Sequence, residues 1–153
     1  GFGVSASYKG YDFSVFMQGV ARTSFFINPN DISPFVNERN ALNVIADNHW
    51  SINNPDPNAF WPRLSTYSIA NNEQQSTWWQ RDGDFLRLKN VEIGYTFPDK
   101  ETGLFSGLNT RIYFTGLNLL TFSKFDLWDT EMGGNGLGYP PQKVYNIGLQ
   151  VNF

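Results

Sequence analysis

The segment VYNIGLQVNF, residues 144 to 153, constrains the fold more than any other part of the chain. Apolar and polar side chains alternate strictly there, and a period of two places them on opposite faces of a β-strand. In a soluble sheet the apolar face packs on a protein core, whereas in a membrane barrel it contacts lipid. The apolar set is Tyr145, Ile147, Leu149, Val151 and Phe153, and the residues between them are Asn146, Gly148, Gln150 and Asn152.

Four further segments are predicted to be strands because they alternate in the same way. In the third, Val91, Ile93 and Tyr95 share one face, while Leu86 and Leu88 take the other phase, which indicates a β-bulge or a strand that rises above a bilayer. In the fourth, two sets of apolar residues compete for one face, namely Ile112, Phe114 and Gly116 against Tyr113, Leu117 and Leu119. The four segments are GFGVSASY, YDFSVFMQGV, DFLRLKNVEIGYTF and TRIYFTGLNLL.

The connections between the five predicted strands alternate short, long, short, long. A tight KG turn at residues 9 and 10 joins the first two strands, whereas long loops run from about 21 to 83, with one short helix near Phe35 to Asp47, and from about 121 to 143. Short turns at one end and long loops at the other are typical of outer-membrane barrels. Five strands cannot close such a barrel, so we expect a piece of a longer chain.

The composition excludes several classes of protein. A net charge of −3 without a basic run argues against nucleic-acid binding. With 0 Cys there is no disulfide or thiolate site. The chain has no run of about 18 apolar residues, so no transmembrane helix is predicted. Its aromatic content of 17% is typical of membrane-interface belts or of carbohydrate-stacking surfaces.

Several stretches together resemble the C-terminal strands of SusC/RagA-type TonB-dependent outer-membrane transporters. As a set, in this order and ending the chain, they are specific, although each alone is weak. The stretches are SYKGYDFSVFMQG (7 to 19), NPDPNAFWPRLS (54 to 65), RDGDFLRLKNVEIGYTFP (81 to 98), GLNLLTFSKFDLWDTE (116 to 131) and YPPQKVYNIGLQVNF (139 to 153).

The resemblance implies an all-β fold, in which residues 1 to 153 are the C-terminal antiparallel strands of a 22-stranded transmembrane barrel in the Gram-negative outer membrane. Its implied partners are the rest of the barrel, an N-terminal plug, TonB through a segment upstream of the plug, and a SusD-like surface lipoprotein. Together they import oligosaccharides or, in some members, peptides. We expect neither the plug nor the TonB box within these residues, so this piece alone transports nothing.

The apolar strand faces supply the candidate lipid contacts. Tyr8, Tyr11, Tyr95 and Phe97 flank the short turns, as an interfacial aromatic belt requires. The resemblance implies that Phe153 is an assembly signal read by the insertion machinery; otherwise it is only the last apolar residue of a strand. The residues expected to face lipid are Val91, Ile93, Tyr95, Tyr145, Ile147, Leu149 and Val151.

Loop tryptophans are the candidate contacts to substrate or lipoprotein, because their rings stack on sugar faces or anchor interfaces. The alternative is that they pack the loops against one another. They are Trp50, Trp61, Trp78, Trp79 and Trp128.

No motif favours an enzyme, a cofactor or a metal. The acidic run of Asp126, Asp129 and Glu131 lacks the spacing of a calcium loop and is predicted to be solvated. GGNGLG (133 to 138) precedes no helix pattern, and the single His49 has no nucleophile elbow nearby. Polar strand residues are assigned structural roles. Arg81, Asp84 and Arg87 are expected either to pair in the lumen or to face the loop. The residues expected to line the lumen or touch the plug are Glu92, Asn146, Gln150 and Asn152.

Two rival functions stay open at this point. A soluble carbohydrate-binding β-sandwich also explains the alternation and the tryptophans, but it requires a second sheet over the apolar face. A passive outer-membrane porin shares the barrel but has no plug.

Overall fold

Five long antiparallel strands form one sheet in the order β1-β2-β5-β6-β7, so each long strand pairs with the next one along the chain. The computed structural model describes residues 1–35, 38–98, 107 and 109–152. This meander confirms the predicted all-β, up-and-down arrangement. The strands are β1 (Phe2–Tyr8), β2 (Tyr11–Val20), β3 (Ser24–Phe26), β4 (Gln80–Asp82), β5 (Phe85–Thr96), β6 (Asn109–Ser123) and β7 (Val144–Asn152), and the helices are α1 (Pro29–Ile32), α2 (Asn43–Asp47) and α3 (Ala70–Glu73).

The turn between β1 and β2 consists of two residues with left-handed backbone. Lys9 has φ 48° and Gly10 has φ 88°, the pattern of a type I′ hairpin. A side chain on Gly10 would also meet the Thr96 carbonyl oxygen at 2.7 Å. The predicted KG turn is therefore confirmed, and glycine is required at its second position.

A β-bulge in β5 explains the change of phase that the sequence shows there. The register with β2 shifts between Leu88 and Asn90, which leaves Lys89 as the extra residue. Against β6 the extra residue lies on β6 instead, where Asn118 and Leu119 fall between the two pairs that flank Lys89. Because one residue is inserted, Leu86 and Leu88 return to the face that carries Val91 and Ile93. The bulge was one of the two expected explanations, and it keeps a single apolar face along the whole strand.

One face of the five-stranded sheet is apolar from edge to edge. A transverse row through its centre contains Ala6, Phe13, Ile93, Phe114 and Ile147, one from each strand. The side chains of Ile93 and Ile147 are 49% and 79% exposed, so no described residue covers this row. The row also settles β6, in which Ile112, Phe114 and Gly116 lie on the apolar face.

The opposite face is polar at mid-sheet. The row adjacent to the apolar one contains Ser5, Ser14, Glu92, Thr115 and Asn146. A sheet with these two unlike surfaces is amphipathic across its thickness, which is the property that the alternation predicted.

The two long loops fold together and are not structureless. Residues from both form one apolar cluster, here called the loop core, and the short β3–β4 ladder runs beside it. The Asn28 amide donates to the Gly134 carbonyl at 3.0 Å, which joins the first loop to the second. The loop core comprises Ile27, Ile32, Ile45, Phe60, Trp61, Trp79 and Phe125.

Two predicted boundaries in the loops differ from the structure. The helix expected near Phe35 to Asp47 is only α2, Asn43–Asp47, because Phe35 and Glu38 have φ of 62° and 63°, which a right-handed helix does not tolerate. Strand β6 continues to Ser123, past the expected start of the second loop at about 121. No helix within the described ranges is long and apolar enough to cross a membrane.

Gly134 is predicted to be essential for the docking of the two loops. A Cβ at this position would meet the Phe26 carbonyl oxygen at 2.0 Å, so Gly134→Ala must separate the backbones and should destabilise the docked state by about 1–3 kcal/mol. Limited proteolysis of the purified full-length protein checks this, because the variant should be cut faster within residues 124–143.

The matched control is Gly138→Ala in the same loop. Its Cβ would lie 3.3 Å from the tip of the Met132 side chain and 3.5 Å or more from Asn135, and the latter distance is ordinary van der Waals contact. Equal cleavage of the two variants would contradict the proposed contact.

Candidate functional site

The seven residues expected to face lipid all lie on the apolar face of the sheet. Tyr145 is 62%, Leu149 65% and Val151 39% exposed at the β7 edge, whereas Val91 and Tyr95 on the central strand β5 are half-buried by their neighbours. The structure thus brings the seven together on one accessible surface. Their contact with lipid stays a prediction.

An aromatic group marks the short-turn end of this face. The rings of Tyr11 and Tyr95 lie 4.5 Å apart, and those of Tyr95 and Phe97 lie 5.0 Å apart. Tyr8 pairs with Tyr11 across the hairpin, and both are largely exposed. The expected belt residues therefore form one continuous group at one end of the sheet.

Three of the five candidate tryptophans pack the loops. Trp61 and Trp79 are 5% and 1% exposed, with ring centroids 4.9 Å apart. Trp128 packs against Phe125 at 4.8 Å, and its indole N–H donates to the Gly133 carbonyl at 2.8 Å. The packing alternative describes these three side chains.

Trp50 and Trp78 line open clefts and remain candidates for ligand contact. Both border a cleft of about 360 Å³ together with Arg63, Asn71 and other polar residues. Trp78 also lines a second cleft of about 450 Å³ between the two loops, here called the inter-loop cleft. Both volumes fall within the roughly 300–1,000 Å³ of small-molecule sites.

Ion pairs of Arg87 fix the second loop to the five-stranded sheet, an arrangement here called the ionic clamp. The prediction that the acidic run is solvated is therefore corrected for the residues that pair with Arg87. The Arg87 side chain on β5 is 1% exposed and donates to both carboxylate oxygens of Asp129 and to Glu131, each at 2.6 Å. A buried guanidinium requires such partners, because an unpaired buried charge is costly. Asp129 and Glu131 are thus structural anchors, although Glu131, like Asp126, is solvent-exposed.

A second ion network, which the sequence analysis missed, lies on the polar face. Arg111 on β6 donates through Nε and Nη2 to Asp12 on β2, and through Nη2 to Glu92 on β5 at 2.6 Å. Gly94 lies beneath the guanidinium, and a Cβ there would meet Arg111 Nη2 at 2.5 Å. The alternation of β6 would have placed Arg111 on the polar face, because it lies in the polar phase of its strand.

The remaining candidates have structural surroundings. Arg81 and Asp84 do not pair: Arg81 donates to backbone carbonyls, and Asp84 accepts from the Thr23 amide at 2.9 Å. His49 Nδ1 lies 3.0 Å from the Ala46 carbonyl oxygen. Gln150 and Asn152 alternate with apolar residues on β7 and lie opposite Arg111 and Asn109. Phe153 lies outside the described residues.

The GGNGLG segment (133 to 138) lies in the second loop. GGNGLG follows a short 3₁₀ turn at Thr130–Met132, and its first glycine has φ 57°. Among the residues that the structure describes, no group of three or more His, Asp or Glu could hold a metal ion.

Comparison with known proteins places the sheet and loops in context. No protein-family model matches the chain. The chain is 30% identical to TonB-dependent receptor P26 of Formosa agariphila over 174 aligned positions, and 26% identical to TonB-dependent receptor SusC of Bacteroides thetaiotaomicron over 149. These matches take in 100% and 95% of the chain. The resemblance to SusC/RagA-type TonB-dependent receptors is confirmed.

The fold agrees with that of the RagAB peptide importer in its closed-closed state, with a TM-score of 0.69 at 23% identity over 99% of the chain. The open-open state gives 0.67. The chain spans 16% of the length of receptor P26 and 14% of SusC, so it is a partial counterpart of much longer TonB-dependent receptors.

Removing both acidic partners of Arg87 is predicted to release the second loop from the five-stranded sheet. In Asp129→Asn combined with Glu131→Gln, the guanidinium stays buried without a carboxylate, which should cost about 3 kcal/mol, the lower end of the usual range because both acids keep some solvent contact. Thermal unfolding of the full-length protein, followed by tryptophan fluorescence, measures the loss.

The control is Lys124→Gln, which breaks the exposed Lys124–Asp82 pair in the same region. The Asp84 backbone amide and the Lys124 ammonium lower the pKa of the Asp82 carboxyl, yet Lys124 is 82% exposed and its removal should change stability far less. A double variant as stable as this control would refute the clamp.

Proposed function

We propose that this chain is part of the barrel wall of a TonB-dependent outer-membrane importer. Its apolar face contacts lipid, its polar face lines the wet interior, and its two long loops belong to the extracellular mouth. One observation carries the proposal: a continuous exposed apolar face lies back to back with a face that holds the Arg111–Asp12–Glu92 network. In a large barrel wall, the apolar side belongs to the hydrocarbon and the charged side to the lumen.

The soluble-sandwich alternative fits the structure less well. It requires a second layer of protein over the apolar face, yet Ile147 is 79% and Leu149 65% exposed there. Of the described residues, the apolar loop segments pack on one another in the loop core instead. A passive porin is also less favoured, because the relatives that the chain matches are TonB-dependent receptors.

The relatives suggest which nutrient the intact protein transports. SusC is a TonB-dependent receptor and RagAB is a peptide importer. We propose that the intact protein imports an oligosaccharide or a peptide together with a SusD-like lipoprotein, and that it contacts TonB through a segment outside these residues. We further propose that the segment is not an enzyme and uses no cofactor.

In this proposal the chain acts as a rigid wall and does not move with each transport cycle. The Arg111 network links three neighbouring strands, β2, β5 and β6. The Arg87 clamp and the Asn28–Gly134 hydrogen bond hold the loops on the wall. Opening of a path would then fall to a plug and a lid outside the chain, while the wall keeps its shape under force.

Arginine substitutions at two adjacent positions of β7 test the orientation of the sheet. Ile147→Arg places a charge on the apolar face at mid-sheet and should cost about 2–4 kcal/mol, the usual cost near the bilayer midplane. Asn146→Arg places the same charge at the same depth on the polar face, where water solvates it, and should cost less than half as much. Urea unfolding of the full-length protein in lipid vesicles measures both.

The proposal also predicts the outer-membrane location of the intact protein and a lower folded yield for Ile147→Arg, seen as a loss of heat-modifiable migration in gels. Equal costs at the two positions, or a greater cost at Asn146, would contradict the assignment of lipid to the apolar face.

A further inference from the structure

The inter-loop cleft is lined by apolar and charged side chains. Phe60 and Phe125 are among the apolar ones, and Arg81 and Lys124 are the cations. Asp126 is the acidic residue among its lining residues, and it forms no ion pair with either cation. Because Lys124 pairs with Asp82 at 2.9 Å, Arg81 is the cation of the cleft that has no carboxylate partner among the described residues.

The Arg81 guanidinium is held in a fixed position. Its Nη1 donates to the carbonyl oxygens of Trp78 at 2.6 Å and Gln80 at 2.8 Å. Its central carbon lies 5.6 Å from the centre of the Phe60 ring, within the range of a cation–π contact. With the Arg81 backbone held in the β3–β4 ladder, little freedom remains to be lost when a ligand binds.

The other edge of this guanidinium, Nε and Nη2, has no hydrogen-bond partner among residues 1–35, 38–98, 107 and 109–152. This sets Arg81 apart from Arg87 and Arg111, each of which binds two carboxylates. Burial lowers the pKa of Arg81, and no nearby anion opposes that effect. A half-buried cation without a counter-ion is a site that an anion would stabilise.

The carboxylates closest in sequence to Arg81 are already occupied. Asp82 accepts from the Asp84 amide and from Lys124, each at 2.9 Å. Asp84 accepts from the Thr23 amide. Neither forms an ion pair with Arg81 within 4.0 Å. Neither of these two carboxylates therefore binds the Nε and Nη2 donors of Arg81.

We propose that the inter-loop cleft binds a small organic carboxylate, with the acid group on the Nε–Nη2 edge of Arg81 and an apolar body against Phe60 and Phe125. The inference deepens the proposed import function and rests on it, because it assigns an acidic substrate class to the mouth of the importer. A planar edge with two donors matches the two oxygens of a carboxylate, which makes the pairing both strong and directional.

Two sources share this chemistry: the free C-terminus of a short peptide and the acid group of a uronic-acid sugar. Isothermal titration of the full-length protein in detergent compares each with a neutral twin. The peptide arm uses N-acetyl-Ala-Ala-Phe as the free acid and as the amide. The sugar arm uses trigalacturonic acid and neutral galactotriose.

At least one acid is expected to bind at least about tenfold more tightly than its neutral twin, the usual strength of a charge-assisted pair. Arg81→Gln should abolish that preference. The matched control is Arg63→Gln, which changes an exposed arginine of the same loop that lines the neighbouring cleft, and it should keep the preference. The arm that shows the preference identifies the source.

The proposal is overturned if neither acid binds more tightly than its twin, if Arg81→Gln keeps the preference, or if Arg63→Gln removes it equally. Should Arg81→Gln fail to fold, Arg81→Lys decides: it keeps the charge but loses the planar edge, so the preference must fall at least about threefold. Binding in detergent requires neither TonB nor a membrane. Failure of this inference is therefore distinguishable from failure of the import function, which the paired β7 substitutions test.

Discussion

The antiparallel hydrogen-bond ladder is the constraint on which the rest of the structure depends. It satisfies the backbone amides and carbonyls between neighbouring strands, and within hydrocarbon this is a requirement, because water is absent. The five long strands meet it along every strand-to-strand contact of the sheet and leave the outer edges of β1 and β7 open. The ladder also forces successive side chains to opposite faces, so one sheet separates an apolar surface from a polar one without a second layer. The bulge at Lys89, seen in the ladder with β2, preserves this separation where the sequence changes phase.

Ion pairs then determine what is attached to this sheet. Arg111 joins three strands on the polar face, while Arg87 joins the wall to the second loop. The two networks differ in burial, since Arg87 is 1% and Arg111 22% exposed. The loops above the wall have an apolar core of their own, which is why residues that look like loop tryptophans in sequence behave as core residues. The binding surface of the loops is accordingly limited to the clefts that this core leaves open.

Local patterns in the sequence predicted most of the sheet and little of the loops. Strand alternation repeats every two residues and a two-residue turn involves only four, so the strands and the KG turn could be predicted from neighbouring residues. The same alternation gave the bulge as one of two explanations for the change of phase. The partners of Arg111 and Arg87 were not, because Asp12 lies 99 residues from Arg111, and Asp129 lies 42 from Arg87. The sequence likewise left open whether the five loop tryptophans contact a ligand or pack the loops, because burial depends on long-range packing. In the structure, Trp61 and Trp79 belong to the loop core. The free edge of Arg81 has no sequence signature at all.

The central claim is that the apolar face of the sheet contacts acyl chains. Spin labels placed one at a time on single cysteines from 144 to 152 of the full-length protein, reconstituted in lipid vesicles, measure this most directly. Relaxation by oxygen, which concentrates in hydrocarbon, and by a water-soluble nickel chelate should alternate with a period of two. The account predicts oxygen access at Tyr145, Ile147, Leu149 and Val151, and nickel access at Asn146 and Gln150. Gly148 is left unlabelled, because a side chain there would meet the Tyr113 ring at 2.3 Å. An absent alternation, or one of opposite phase, would contradict it.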